Sequence, residues 1–150
     1  MVRRTTLYLL GALLMPTTFG ARAAPERLAL TGPIPAVVER VIDGDTVRVR
    51  ARIWLGQDVL TDVRLRGIDA PELHGRCPAE RDRAQQAKAW LDARIGGRTV
   101  SLSEITGDKY GGRVVARLAT PDGEDVSAAL LAAGLVQPYN GRRRPKWCED

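Results

Sequence analysis

The sequence predicts an α+β domain, mainly β, and three observations lead there. Apolar residues alternate with period two in Thr46-Val47-Arg48-Val49-Arg50 and again across residues 59–65, the spacing of half-buried strands. Across residues 79–95 the period changes, and Ala84, Ala87, Lys88 and Leu91 follow helical spacing. The order of elements is three strands, a helix, two strands and a helix.

The elements follow in chain order. Arg3 and Arg4, a mostly apolar run over residues 7–19 and the small-x-small site Ala21-Arg22-Ala23 make residues 1–23 an expected secretory signal peptide. The apolar run is shorter than the roughly 20 residues that cross a bilayer. Residues 24–35, with prolines at 25, 33 and 35, read as an exported leader, and residues 36–150 as the folded domain. Val37-Val38-Glu39-Arg40-Val41 is a short β-branched strand, and Gly44 and Gly67 mark turns around the two alternating strands. Pro78 suits a helix start and Gly96-Gly97 a stop. Thr99-Val100-Ser101-Leu102-Ser103 and residues 114–118 are further strands; Pro121-Asp122-Gly123 is a turn, and residues 126–133 form a second helix ended by Gly134. Trp54 and Trp90 are expected in the core or against a helix, Arg66 as an exposed strand residue, and Arg142-Arg143-Arg144-Pro145 as a solvated tail. This order is that of a small OB-type Greek-key barrel with helices packed outside. Periodicity by itself supports the α+β class without choosing the barrel.

Composition bounds the function loosely. The chain has 23 Lys+Arg against 18 Asp+Glu, and loss of Arg3, Arg4 and Arg22 with the signal leaves 20 bases against 18 acids, a balance of +2. Bulk charge is therefore a weak argument for nucleic acid. Of those 20 bases only Lys88, Lys109 and Lys146 are lysines, and arginine's planar fork matches phosphate oxygens in pairs. The roughly 125 residues left after the signal suit one domain. Two cysteines, Cys77 and Cys148, fit export and are expected to be joined. Closing so long a loop stabilises by roughly 4 kcal/mol on the chain-entropy estimate and would pin the tail beside the segment after Glu72. Zinc is disfavoured, since the cysteines lie far apart and His74, read as a loop residue, is the only histidine.

Three stretches carry the chemistry: Ile42-Asp43-Gly44-Asp45-Thr46, then Arg64 with Ile68-Asp69-Ala70-Pro71-Glu72, then Asp108-Lys109-Tyr110-Gly111-Gly112-Arg113. Their acids and arginines stand beside turn-forming residues at strand ends, a set suited to cutting a phosphodiester with a hard metal ion. Such a cation takes oxygen ligands, and Asp45 and Asp69 are best placed to converge, with Asp43 two residues from Asp45. The plainer alternative for Asp43-Gly44-Asp45 is a simple hairpin turn.

In this order, and with these neighbours, the stretches resemble the thermonuclease (staphylococcal nuclease) family over residues 36–139. The resemblance implies a five-stranded OB-type barrel with two or three helices outside. It also implies Ca2+ held by Asp45, Asp69 and the main-chain carbonyl of Ala70, a position often threonine in the family. Glu72 matches the general base, with Arg64 at the family spacing of five residues before Asp69. Arg64 and Arg113 match the arginines that clamp the phosphate. Lys109 and Tyr110 match residues of the nucleotide pocket; Tyr139 is the remaining aromatic platform, with Trp147 a second candidate for stacking. Tyr110-Gly111-Gly112-Arg113 carries one glycine more than the simplest Tyr-Gly-Arg pattern, which is either absorbed in the turn or shifts the register. The activity implied is a secreted or periplasmic, monomeric, calcium-dependent nuclease acting on DNA and RNA with little sequence preference and leaving 3′-phosphates. A non-catalytic exported OB-type nucleic-acid-binding module is the alternative. A calcium-stabilised structural domain is a third, but it would not need Arg64, Glu72 and Arg113 together.

Overall fold

Residues 28–148 are described by a computed structural model; the expected signal peptide, and the leader up to residue 27, lie outside them. The strands are β1 (Ala29–Leu30), β2 (Ile34–Asp43), β3 (Thr46–Trp54), β4 (Gln57–Leu65), β5 (Ile68–Asp69), β6 (Thr99–Gly107), β7 (Arg113–Ala119) and β8 (Gln137–Pro138). The helices are α1 (Pro78–Ile95) and α2 (Val126–Ala132). β2, β3 and β4 form an antiparallel meander, β6 pairs with both β2 and β7, and β7 pairs in parallel with β4. The five strands β2-β3-β4-β7-β6 therefore close on themselves, giving the expected OB-type barrel.

Alternation fills the interior. Val38, Val47, Val49, Val63, Leu65, Leu102 and Leu118 are all buried, and a fully buried side chain of this kind contributes roughly 1.5–3 kcal/mol. The alternation in β2 breaks twice, after Val38 and again after Val41. A bulge between Val38 and Arg40 leaves both Glu39 and Arg40 outside and returns Val41 to the core. The strand is thus ten residues long rather than the five the pattern predicts. Strand pairing also begins earlier than expected, because Ala29 and Leu30 of the leader pair with Thr106 and Ile105.

Helix α1 buries Ala84, Ala87, Leu91 and Ile95, one stripe at helical spacing. Backbone bonds from Gly97 N to Val38 O and from Val38 N to Arg98 O fasten its end to β2. Trp90 packs against the core from this helix, as expected. Trp54 does not: it is 71% exposed at the tip of the β3–β4 hairpin, where a bulge in β3 and the Leu55-Gly56 turn carry the strand beyond the barrel wall.

Candidate active site

The site begins at the β2–β3 turn. Asp43 Oδ1 accepts a bond of 3.2 Å from Asp45 N, which sets the turn. A Cβ on Gly44 would stand 2.7 Å from Ala87 Cβ and 2.9 Å from Ala70 Cβ, so only glycine lets this turn press against α1 and the segment after β5. That pressure buries Asp45, which is 3% exposed. Its Oδ1 accepts from Thr46 Oγ1 (2.9 Å) and its Oδ2 from Ala70 N (3.0 Å). Burial pushes the Asp45 carboxyl up to about 6, against the opposing pull of Arg64.

Arg64 lies opposite Thr46 in the β3–β4 register. It spans both acids, with Nη1 2.8 Å from Asp45 Oδ2 and Nη2 3.0 Å from Asp69 Oδ1. Nη2 also donates to Ile68 O at 3.3 Å. Asp69, fully buried, ends β5, which pairs with β8. Tyr139 N continues that pairing by donating to Gly67 O at 2.9 Å, and the Tyr139 ring lies 5.7 Å from the Arg64 guanidinium.

The β6–β7 turn absorbs the extra glycine. Gly112 takes φ +78°, a conformation open to glycine, and Arg113 N donates to Tyr110 O at 3.3 Å. Arg113 then opens β7 opposite Asp62, while Arg64 stands opposite Val115, so both arginines project outward from neighbouring strands. Arg113 Nε is 2.5 Å from Asp108 Oδ2, and its guanidinium stacks 4.8 Å from the Tyr110 ring. Lys109 Nζ lies 5.0 Å from the same ring. Arg117 is directed elsewhere, to Glu104 and Asp125.

Two arginines depart from their expected roles. Arg66 is not an exposed strand residue but a half-buried tie in the turn after β4: Nη2 donates to Glu104 O, Thr106 Oγ1 and Val115 O. Arg144 is not a solvated tail residue. Its Nε donates to Asp69 Oδ1 at 3.0 Å, Nη1 to Glu72 Oε1 at 2.5 Å, and Nη2 to Asp69 Oδ2 at 3.2 Å and Ala70 O at 3.4 Å. Burial opposes its charge, but the bonds to Asp69 and Glu72 outweigh that and raise its pKa further. Trp147 Nε1 adds a contact of 3.4 Å to Asp69 Oδ2. What brings this segment here is the Cys77–Cys148 bridge, formed as expected.

Glu80 is a further contributor that lies outside the three motif stretches. Buried in the first turn of α1, it accepts from Glu72 N at 3.3 Å and Arg76 N at 3.0 Å, tying the Glu72 loop to the helix start. The sequence carried no capping signal for it, because the N-cap position is Cys77, which makes no side-chain cap bond. His74 is exposed in this loop, as expected.

Asp43, Asp45, Arg64, Asp69, Ala70, Glu72, Lys109, Tyr110, Arg113, Tyr139 and Arg144 all line one cavity of ≈ 740 Å³. The residues singled out from the sequence for metal, catalysis and substrate are thus brought together, apart from the second stacking candidate, Trp147, which does not line the cavity. The oxygens of Asp69, Glu72 and Ala70 converge closely enough for one guanidinium to reach all three. The buried carboxylate of Asp45 is bonded to Ala70 N beside them, so the donors at this end of the cleft are all oxygens, the type a hard divalent cation takes.

Residues 62–148 match the family model of the staphylococcal nuclease homologues. The chain belongs to that family. Among its curated relatives is an uncharacterized endonuclease of Escherichia coli, 29% identical over 110 residues that cover 73% of this chain and 64% of the relative. A probable endonuclease LCL3 of Debaryomyces hansenii is 33% identical over 139 residues, covering 79% of this chain and 58% of the relative. Endonuclease YhcR of Bacillus subtilis is 28% identical over 123 residues, 77% of this chain but 10% of the relative. This staphylococcal nuclease homologue therefore spans less than two thirds of the length of these relatives.

Proposed function

We propose that the protein is an exported, calcium-dependent nuclease that hydrolyses phosphodiester bonds in DNA and RNA with little sequence preference. The observation that carries this reading is the convergence of Asp45, Asp69, Glu72, Arg64 and Arg113 on one cleft. Membership of the family and the endonuclease names of the relatives support it. Asp45, Asp69 and the Ala70 carbonyl would hold the calcium, which when bound would supply charge neutralisation and polarisation of the phosphate. Glu72 takes a proton from the attacking water. Charge then builds on the equatorial oxygens, where Arg64 and Arg113 meet it with preset forks. The bond to the 5′ oxygen breaks, leaving a 3′-phosphate. Lys109, Tyr110 and Tyr139 hold the neighbouring nucleotide, with bases stacking on the rings. The apolar run over residues 7–19 and the Cys77–Cys148 bridge support export to the periplasm or beyond.

The test uses purified protein with plasmid, linear single strands and RNA, each with calcium, magnesium or chelator. Cleavage is expected with calcium and little or none with magnesium, which demands a near-ideal octahedron. Undiminished cleavage in chelator removes the metal assignment. Tight binding without cleavage under every condition returns the non-catalytic binding module.

A further inference from the structure

From β8 the chain runs back across the cleft to Cys148, which is bonded to Cys77 just before α1 and five residues beyond Glu72. Arg144 lies on this return path, four residues before the bridge. All three of its guanidinium nitrogens are engaged, and every partner is a site oxygen: both of Asp69, the Ala70 carbonyl and Glu72 Oε1. Arg64 already holds Asp69 Oδ1 from the other side. On the calcium-site reading proposed for this cleft, Arg144 thus covers two of the three expected ligands and the expected base.

We propose that Arg144 is a built-in counter-cation of the site, held over it by the Cys77–Cys148 tether, and that it and a divalent cation exclude one another from Asp69 and the Ala70 carbonyl. Two effects enforce the exclusion. The lone pairs that Arg144 engages are those a cation needs, and two positive centres a few ångströms apart repel strongly in a partly buried site. Arg144 also holds Glu72 Oε1, and its departure frees that oxygen to accept from water. Departure is open to Arg144, because its side chain is 47% exposed and swings into solvent rather than into the core. Only Pro145, Lys146 and Trp147 separate it from Cys148, so the tether keeps its local concentration at the site high. Opening the bridge therefore weakens the competition without altering any ligand.

Calorimetric titration of the chelator-stripped full chain with calcium chloride tests this, on wild type, Arg144→Ala, Arg144→Gln and the bridge-free Cys77→Ser/Cys148→Ser protein. Both Arg144 variants are expected to bind calcium at least tenfold more tightly than wild type, with the bridge-free protein in between. A second readout keeps Arg144 in place. In a Trp54→Phe/Trp90→Phe background, Trp147 is the only tryptophan, and calcium should shift its emission and its quenching by acrylamide as the segment lifts away from Asp69. Equal or weaker calcium binding by both Arg144 variants, with circular dichroism matching wild type, overturns the proposal. So does a Trp147 emission that calcium leaves unchanged while heat of binding is recorded. If neither wild type nor any variant binds calcium, the calcium-site reading itself falls, and the counter-cation falls with it. If wild type binds and the variants match it, only the counter-cation falls.

Discussion

Asp45 sits under two opposing demands, since the same burial that aims it at the cleft opposes its charge. In cation-free protein its pKa rises from 3.8 to about 6, so the folded state holds a proton more tightly than the unfolded chain. The stability this adds is complete below about pH 4 and is lost as pH rises through about 6. Asp45→Asn has no proton to lose, so in chelator its stability should fall less than that of wild type as pH rises from 5 to 7.5. The variant should not cleave. Thermal melts at both pH values check this. Arg113 and Arg117 form a second residue-scale contrast. Losing a transition-state donor typically reduces rate about 100- to 1,000-fold, which is expected for Arg113→Ala. Arg113→Lys should also be poor, because it keeps the charge without the fork. Arg117→Ala, on a residue bonded to Glu104 and Asp125, should stay near wild type; turnover of a defined oligonucleotide distinguishes them. These acids and arginines were legible in the sequence because each stands beside its own turn. Arg144 was not, since its place depends on where a distant bridge returns the tail. Its position four residues before a cysteine expected to bond just past Glu72 was the available clue.

At the level of elements, the β2–β3 turn and the start of α1 act as one unit. Gly44 leaves no room for a side chain between Ala87 and Ala70, so Gly44→Ala should destabilise by about 1–3 kcal/mol. It should also impair cleavage beyond what the fraction folded explains, because the displaced turn carries Asp45. Urea unfolding and activity measured on the same samples separate the two effects. The other half of the unit is Glu80, whose carboxylate fixes the main chain of Glu72 and Arg76. The helices and the alternating strands were readable because their buried residues follow one period. The ends of β2 were hidden, because its bulge breaks the period after Val38. Trp54 lies outside the core because bulk and apolarity do not reveal that a hairpin outruns the barrel it belongs to.

For the whole molecule, the Cys77–Cys148 bridge joins positions 71 residues apart. Its removal in Cys77→Ser/Cys148→Ser should lower stability by about 2–4 kcal/mol, read from denaturant unfolding in chelator. The closed barrel, by contrast, is legible in the order of the motifs, whereas periodicity alone leaves it open. Alternation says which residues face inward and nothing about which strands are neighbours, and the decisive pairing, β4 with β7, is parallel and distant in sequence. That seam decides when the two arginines meet. Arg64 and Arg113 reside on its two sides, where Thr61 Oγ1 reaches Gly112 O across a separation of 51 residues, so they meet only after the intervening helix and strand have been made and the long loop has closed. A chain still lengthening on the ribosome already holds its acids and Arg64 yet lacks Arg113. On the nuclease reading proposed above, competence to cut waits for the β4–β7 pairing that brings the two arginines together.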